Sequence, residues 1–428
     1  MKLHLSFLLI FGLLATRGLA QQEIKPSHPD YNQLKMEGKL PQQQPGFYKV
    51  KHTENGIKYE SLPAEFKAQK KQVNKSAARA AGGGQNESCN CFQELDDTYT
   101  IAPMSQGTAP EYRNDDGSTQ AIDLPFEYCL YGDTYNQVFI NNNGNVSFNA
   151  TVGTFSSEAF PNDFVMVAPF WGDVDTRNTD GGVVHYKITD HYMIVIWDRV
   201  GYYSSMADKV NSFQLIITDG NDPIVPFGFN TGFCYGDMQW TTGSASQGVG
   251  GFGGIPATVG ANRGNSQDYV QFGRFDHAGN DYDGPFGGAD GVSWLDDQTF
   301  FFNTCTEGGN DNVPPVPIAT DICDTIYLCE GQIYPFNLNF FAVEPDQTCS
   351  TTVTPNGAPG LLIADNTGGN INVVSGTFTA QADNIGMNEI TFTCTDNGSP
   401  KPLLQVLQRI SGLLKAISLC QLQSQYHL

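Results

Sequence analysis

Residues 160–186, FPNDFVMVAPFWGDVDTRNTDGGVVHY, constrain the fold more than any other stretch. An apolar run breaks there into a Pro-Phe-Trp-Gly-Asp turn, and a second run is entered through Gly181-Gly182. Short apolar runs bounded by turn residues read as buried strands. The same grammar recurs elsewhere. Residues 137–148 read as two strands around an Asn-Gly turn, because Asn and Gly tolerate the positive φ of a tight hairpin. Residues 183–188 and 192–197 flank Thr189-Asp190-His191 as a second hairpin, residues 211–218 follow as a further strand, and the Gly/Ser-rich residues 243–264 read as a long loop or a set of bulges. The 46 Gly, 23 Pro and 46 Phe plus Tyr favour short strands joined by tight turns, so the expected class is all-β.

The first twenty residues address the compartment. Lys2, an apolar run from Leu5 to Ala15 and the small-residue exit Gly18-Leu19-Ala20 read as a secretory signal peptide cut before Gln21. The run is shorter than the roughly 20 apolar residues a spanning helix needs, and no later segment reads as a membrane span. An uncleaved anchor is the other reading, since Arg17 lies close to the cut. The ten cysteines lack paired C-x-x-C zinc knuckles, which favours disulfides in an oxidising compartment. The expected bonds are Cys129 with Cys234, Cys89 or Cys91 with Cys305, Cys323 with Cys329, and Cys349 with Cys394.

The chain divides after residue 20. Residues 21–88 are a polar leader or propeptide, in which residues 45–66 could form a short helix or hairpin. Residues 89–305 carry the dominant period-2 signal, and residues 306–317 are a Gly/Pro linker. Residues 318–402 return to alternation and look like an immunoglobulin- or cadherin-like sandwich. Residues 403–428 depart from the pattern: acidic residues vanish, and the expectation is a lost or replaced final strand, with an amphipathic helix over 404–419 as the alternative. Charge follows the same divisions. Residues 89–402 carry 8 Lys plus Arg against 38 Asp plus Glu, a net of −30, whereas residues 21–88 carry 11 against 7, a net of +4. Such an acidic body repels phosphate backbones, which argues against nucleic acid as a partner.

Four pieces of the body resemble the nidogen-like extracellular domain in order and spacing: residues 139–148 (FINNNGNVSF), 167–177 (VAPFWGDVDTR), 211–216 (NSFQLI), and 238–243 (MQWTTG) followed by 253–261 (GGIPATVGA). The resemblance covers roughly residues 95–305. It implies a β-sandwich module of a secreted protein that mediates cell-matrix adhesion or surface binding without catalysis, its partner an extracellular matrix or cell-surface protein or glycan. No epidermal-growth-factor-like, thyroglobulin-like or β-propeller module follows, and extra cysteines bracket the domain. The other reading is a noncatalytic targeting part of a larger secreted enzyme or surface complex.

No H-E-x-x-H, G-x-S-x-G or phosphate-cradling Gly-Lys-Ser/Thr is present. His185 and His191 straddle a hairpin but would lack a third zinc ligand. Calcium is the one cofactor the carboxylates could hold. The first choice is the loop of Asp281, Asp283 and Asp290, near Asp296 and Asp297; the second is the turn of Asp173, Asp175 and Asp180. Neither is an EF-hand: counted from Asp173, Asn178 stands where glycine is required and Val184 where glutamate is. Phe170, Trp171, Trp197 and Trp240 are expected in the core rather than on a binding face. Glycosylation sequons stand at Asn74, Asn86, Asn145, Asn149 and Asn397, with Asn145 and Asn149 expected on an exposed hairpin edge.

Overall fold

The computed structural model describes residues 30–37, 39, 48–53, 56–61, 91–225, 228–282, 290–305, 315–318, 328, 330–342, 347–354, 359–382, 387–398 and 404–413. The proposed signal peptide, the sequons at Asn74 and Asn86, and Cys89, Cys323, Cys329 and Cys420 lie outside them. The chain is all-β apart from short helical turns.

Two seven-stranded sheets face each other across the first and larger sandwich. In spatial order the first contains Thr299–Phe302, Thr231–Met238, Met206–Thr218, Tyr192–Tyr202, Val184–Ile188 and Thr100–Ile101, with Val174–Asp175 also paired to Tyr192–Tyr202. The second contains Asp290–Gly291, Tyr269–His277, Ala257–Asn262, Met166–Trp171, Asn145–Ser147, Asp133–Asn141 and Ile122–Leu130. Alternation explains the flanks. In Ile122–Leu130 the side chains of Leu124, Phe126, Tyr128 and Leu130 are buried, each separated by a more exposed residue.

Central strands instead bury both faces, which is why their sequences read as continuous apolar runs. Met193, Val195 and Trp197 enter the core between the sheets, whereas Ile194 and Ile196 join an outer cluster with Ile216, Val225, Phe229 and Phe301. On the opposite sheet Val167 and Phe170 point inward, while Met166, Ala168 and Trp171 are covered from outside by Val152, Phe160 and Phe164. Aromatic rings fill the interior. Phe213 stacks on Trp197 at 5.1 Å and meets Phe170 at 5.4 Å, and Trp240 meets Phe170 edge-on at 5.7 Å. Phe170, Trp171, Trp197 and Trp240 are therefore core residues, as their sequence context implied.

Among the described residues two disulfides fasten this sandwich, and their pairing corrects the expected one. Cys234 is bonded to Cys91 and Cys129 to Cys305, with Cα separations of 5.5 and 4.8 Å. Cys234 faces the outer cluster of the first sheet, beside Cys91, and so points away from Cys129 on the second sheet. The first bond draws the N-terminal segment across the outer face. The second ties the end of the module to Ile122–Leu130, where the Tyr131 N–H donates to the Thr304 carbonyl at 2.6 Å.

A smaller sandwich follows, of Val316–Ile318, Ile333–Phe341, Ile371–Thr379 and Leu361–Thr367 against Cys349–Thr354, Met387–Asp396 and Leu404–Leu413. Tyr334, Phe336, Leu338, Phe340, Val374, Phe378, Ile390 and Phe392 form its core. Phe341 reaches back to Phe272 of the larger module at 5.7 Å. Two expectations fail here. The final strand is present: Leu404–Leu413 pairs antiparallel with Met387–Asp396, so the tail neither lacks the strand nor starts a helix there. Cys349 and Cys394 are buried free thiols rather than a bonded pair. Register explains this, because Cys349 lies opposite Asp396 and Cys394 opposite Thr351. The two thiols are thus diagonal neighbours rather than directly opposed, and they meet as a hydrogen-bonded pair of thiols.

Ahead of the sandwich, Tyr48–Thr53 and Gly56–Ser61 form a hairpin, and the helix Tyr31–Met36 touches the body through Asn32, whose amide donates to the Gly153 carbonyl at 2.9 Å. Among the described residues no helix is long and apolar enough to cross a membrane.

Candidate carboxylate site

Three turns that are far apart in sequence converge at one end of the larger sandwich. The Asn-rich hairpin turn forms as expected, with Asp133–Asn141 paired to Asn145–Ser147. Its glycine is obligatory: Gly144 has φ +74°, and a Cβ there would sit 1.8 Å from the Phe170 carbonyl oxygen. The turn is not an exposed edge, because Asn141, Asn142, Asn143 and Asn145 are all buried. Asn145 donates to the Asn143 carbonyl at 3.1 Å and accepts from the Asn141 amide at 2.8 Å, so this sequon is sealed within the fold. Asn149 and Asn397 are exposed.

Asn142 joins the other two turns. Its amide donates to the carbonyls of Asp115 and, at 2.7 Å, Val174, while its own carbonyl accepts from the Trp197 indole at 3.0 Å. The loop of Asn114 to Gly117 is shaped by the Asn114 side chain, which accepts from the Gly117 N–H at 2.7 Å. Arg113 fixes the segment after the Pro-Phe-Trp-Gly-Asp turn by donating to the carbonyls of Thr176, Asn178 and Gly181 at 2.7–2.9 Å.

Together these contacts bring Asp115, Asp116 and Asp173 to within 4.8 Å of one another, counted between ligand-capable oxygens. Asp173 is 2% exposed, and its Oδ2 has no hydrogen-bond partner. Asp115 Oδ1 and the buried Asn143 Oδ1 also lack partners. Asn143 is anchored by its amide, which donates to Asp116 Oδ1 at 2.8 Å. Asp175 stands beside the group but is committed elsewhere: it accepts from the Arg177 N–H at 3.0 Å, from Arg177 Nε at 2.9 Å and from the Ser205 N–H at 2.7 Å. Arg177 also reaches Asp115 Oδ2 at 3.2 Å.

Electrostatics follow from crowding in a dry place. Burial, then the charges of Asp116, Asp115 and Asp175, hold the Asp173 carboxyl well above its ordinary range against the pull of Arg177. Burial, then Asp116 and Asp175, push Asp115 up to about 7. Burial also raises Asp116, opposed by the Asn143 hydrogen bond and by Arg177. Gly243 closes the site on the Asp173 side, and a Cβ there would lie 2.3 Å from Asp173 Oδ2.

Of the carboxylates singled out from sequence, Asp173 is a member of this group, Asp175 flanks it, and Asp180 lies exposed outside it. Asp115, Asp116 and Asn143 are additions. The run Asn114-Asp115-Asp116-Gly117 was the only local signal of the two carboxylates, and Asn143 stands in the Asn-rich hairpin turn. The first-choice loop is arranged differently. Asp281 is exposed and its carboxylate meets His277 Nε2 at 3.0 and 3.2 Å, Asp290 is buried in a strand beside Phe275, and Asp283 lies outside the described residues. His185 sits in its strand opposite Ile196, while His191 Nδ1 is 2.9 Å from Asp219, so the two histidines face different partners.

Comparison with known proteins covers the same region. The family model described as NIDO related matches residues 91–273. Human alpha-tectorin is 33% identical over 198 residues, 39% of this chain and 9% of that protein. Drosophila melanogaster nidogen is 24% identical over 175 residues, 35% of this chain and 13% of that protein. Dendrite extension defective protein 1 of Caenorhabditis elegans is 27% identical over 149 residues, 29% of this chain and 12% of that protein. The chain thus spans only about a tenth of the length of these relatives. The matched residues 91–273 include the Asn-rich hairpin, the Pro-Phe-Trp-Gly-Asp turn and Trp240, and the match supports a nidogen-like domain in this part of the chain.

Proposed function

We propose that this chain is an exported binding module that mediates cell-matrix adhesion or attachment to a surface, recognising a matrix or cell-surface protein or glycan without transforming it. The observation that carries the reading is the nidogen-like domain over residues 91–273, shared with nidogen and alpha-tectorin. The packing is consistent with it. Large aromatic residues that might have lined a substrate cleft are consumed between and behind the sheets, with Trp171, Trp197, Trp240 and Trp294 all 0% exposed. Two disulfides brace the scaffold, as suits a protein working in an oxidising space. Recognition then falls to loops and to the acidic surface, which favours cationic or cation-bridged partners.

The test is to express the full chain through a secretory route, label it, and measure its retention on cultured cells and on the cell-free matrix they deposit, with calcium and with chelator. Retention on either surface supports the reading. No retention under both conditions overturns it.

A further inference from the structure

We infer that Asp115, Asp116 and Asp173, with the amide oxygen of Asn143, form a binding site for one calcium ion between the Asn-rich hairpin turn and the Pro-Phe-Trp-Gly-Asp turn. Acidic residues often crowd a surface without binding anything, so the inference rests on what is buried and left without a partner. Asp173 is 2% exposed and Asn143 1%, and each presents an oxygen that meets no hydrogen-bond donor. Asp115 adds a third such oxygen. Buried polar groups in folded proteins are almost always satisfied, and orphan acceptors on Asp173 and Asp115 of one carboxylate group, and on Asn143 bonded to its third member, call for an electropositive occupant.

Charge leads to the same occupant. Asp115, Asp116, Asp173 and Asp175 face a single guanidinium, that of Arg177, whose hydrogen bonds are spent mainly on Asp175. A dication offsets most of the remaining negative charge. A proton is the competing occupant, and it offsets less: one proton neutralises a single carboxylate of the group and leaves the other buried oxygens without a donor.

Ligand chemistry selects the ion. All the donors are hard oxygens, which suits calcium rather than zinc or copper. The three carboxylates offer oxygens that all lie within 4.8 Å of one another, close enough for one ion to bridge, and a cage of several protein oxygens suits calcium better than magnesium, which keeps most of its waters and takes one or two carboxylates. Four protein oxygens leave positions for water, and Asp115, 19% exposed at its side chain, supplies the open side through which an ion enters. Gly243 belongs to the same design, since any larger residue would displace the Asp173 carboxylate.

The site is independent of the adhesive reading, because it is read by ion binding alone. The full secreted chain, stripped with chelator and dialysed, is titrated with calcium chloride by calorimetry, and its thermal unfolding is followed with calcium and with chelator. The expected result is saturable calcium binding with a rise in Tm. Asp173→Asn should weaken that binding by more than about tenfold, because it removes a charged ligand. It should also melt no lower than the parent in chelator, because it relieves the crowding of carboxylates that only the ion offsets. Asp281→Ala, outside the cluster, should leave the response intact. Asp116→Asn, on the more open side, serves if Asp173→Asn fails to fold. The inference is overturned if the unsubstituted chain shows no calcium-dependent heat or Tm change, if Asp173→Asn and Asp116→Asn both respond as the parent does, or if magnesium acts as strongly as calcium.

Discussion

Replacing Cys129 and Cys305 together by alanine opens a covalent loop that joins positions 176 residues apart. Chain-entropy treatment gives a loop of that length about 5 kcal/mol of restraint on the unfolded ensemble at 25 °C. Little should be lost on the folded side, because other contacts hold the same junction. The Tyr131 N–H meets the Thr304 carbonyl at 2.6 Å, the Thr304 hydroxyl donates to the Cys129 carbonyl at 2.9 Å, and the Tyr128 hydroxyl meets those of Thr231 and Thr304 at 2.8 and 2.9 Å. The double variant should therefore keep its fold and lose about 5 kcal/mol, which is roughly 10–20 °C in Tm for a unit of this size. Guanidinium unfolding followed by tryptophan fluorescence reports it directly, since all four tryptophans are buried in the larger sandwich. The denaturant slope should rise as well, because the unlinked chain exposes more surface when unfolded. A loss below about 1 kcal/mol, with the fold intact, would refute the entropic reasoning. Peptide mapping that joins Cys129 to Cys234 would refute the pairing.

Other expectations follow from single sites. Gly144→Ala combines a positive φ with a backbone clash and should lose about 3 kcal/mol or more, whereas Gly250→Ala, at φ +61° with nothing within 4 Å, should lose only about 1 kcal/mol; equal losses in chemical denaturation would show that the clash is absorbed. His191 is raised above its ordinary 6.5 by the hydrogen bond to Asp219 and by that carboxylate's charge, so the pair's contribution is whole below pH 6.5 and is lost as pH rises through the folded value. In an NMR titration the His191 midpoint should fall in Asp219→Asn, and an unmoved midpoint counts against the pair. Material secreted from a glycosylating host should carry sugar at exposed Asn149 and none at buried Asn145, and a glycopeptide at Asn145 would contradict the packing of the hairpin turn.

Local grammar was readable where one element determines it. The Asn-Gly turn between Asp133–Asn141 and Asn145–Ser147 and the hairpin of Val184–Ile188 with Tyr192–Tyr202 both follow from alternation and turn chemistry, and so does the core placement of Trp197 and Trp240. What was hidden depends on which sheets lie against each other. Cys234 and Cys129 look like natural partners along the chain, but they stand on different sheets, one of them facing outward. The segment Leu404–Leu413 has apolar residues at 404, 407 and 410, a helical spacing, and only its pairing with Met387–Asp396 makes it a strand. The carboxylate site was half legible. Asp173 stands in a conspicuous turn, whereas Asp115, Asp116 and Asn143 acquire meaning only through the hydrogen bonds of Asn142 and Arg113 that gather three distant loops. Burial of the Asn-rich turn was equally unreadable, because polar residues at a hairpin tip ordinarily signal solvent.

The most direct test of the central claim, that a folded and oxidised nidogen-like scaffold recognises another surface, is a competition measurement. The labelled full chain is offered to cell-deposited matrix and to cells in calcium, against an excess of unlabelled chain that is either native or reduced and alkylated. The account predicts saturable binding displaced by the native competitor but not by the reduced one. Binding that fails to saturate, or that the reduced chain displaces equally well, would contradict it.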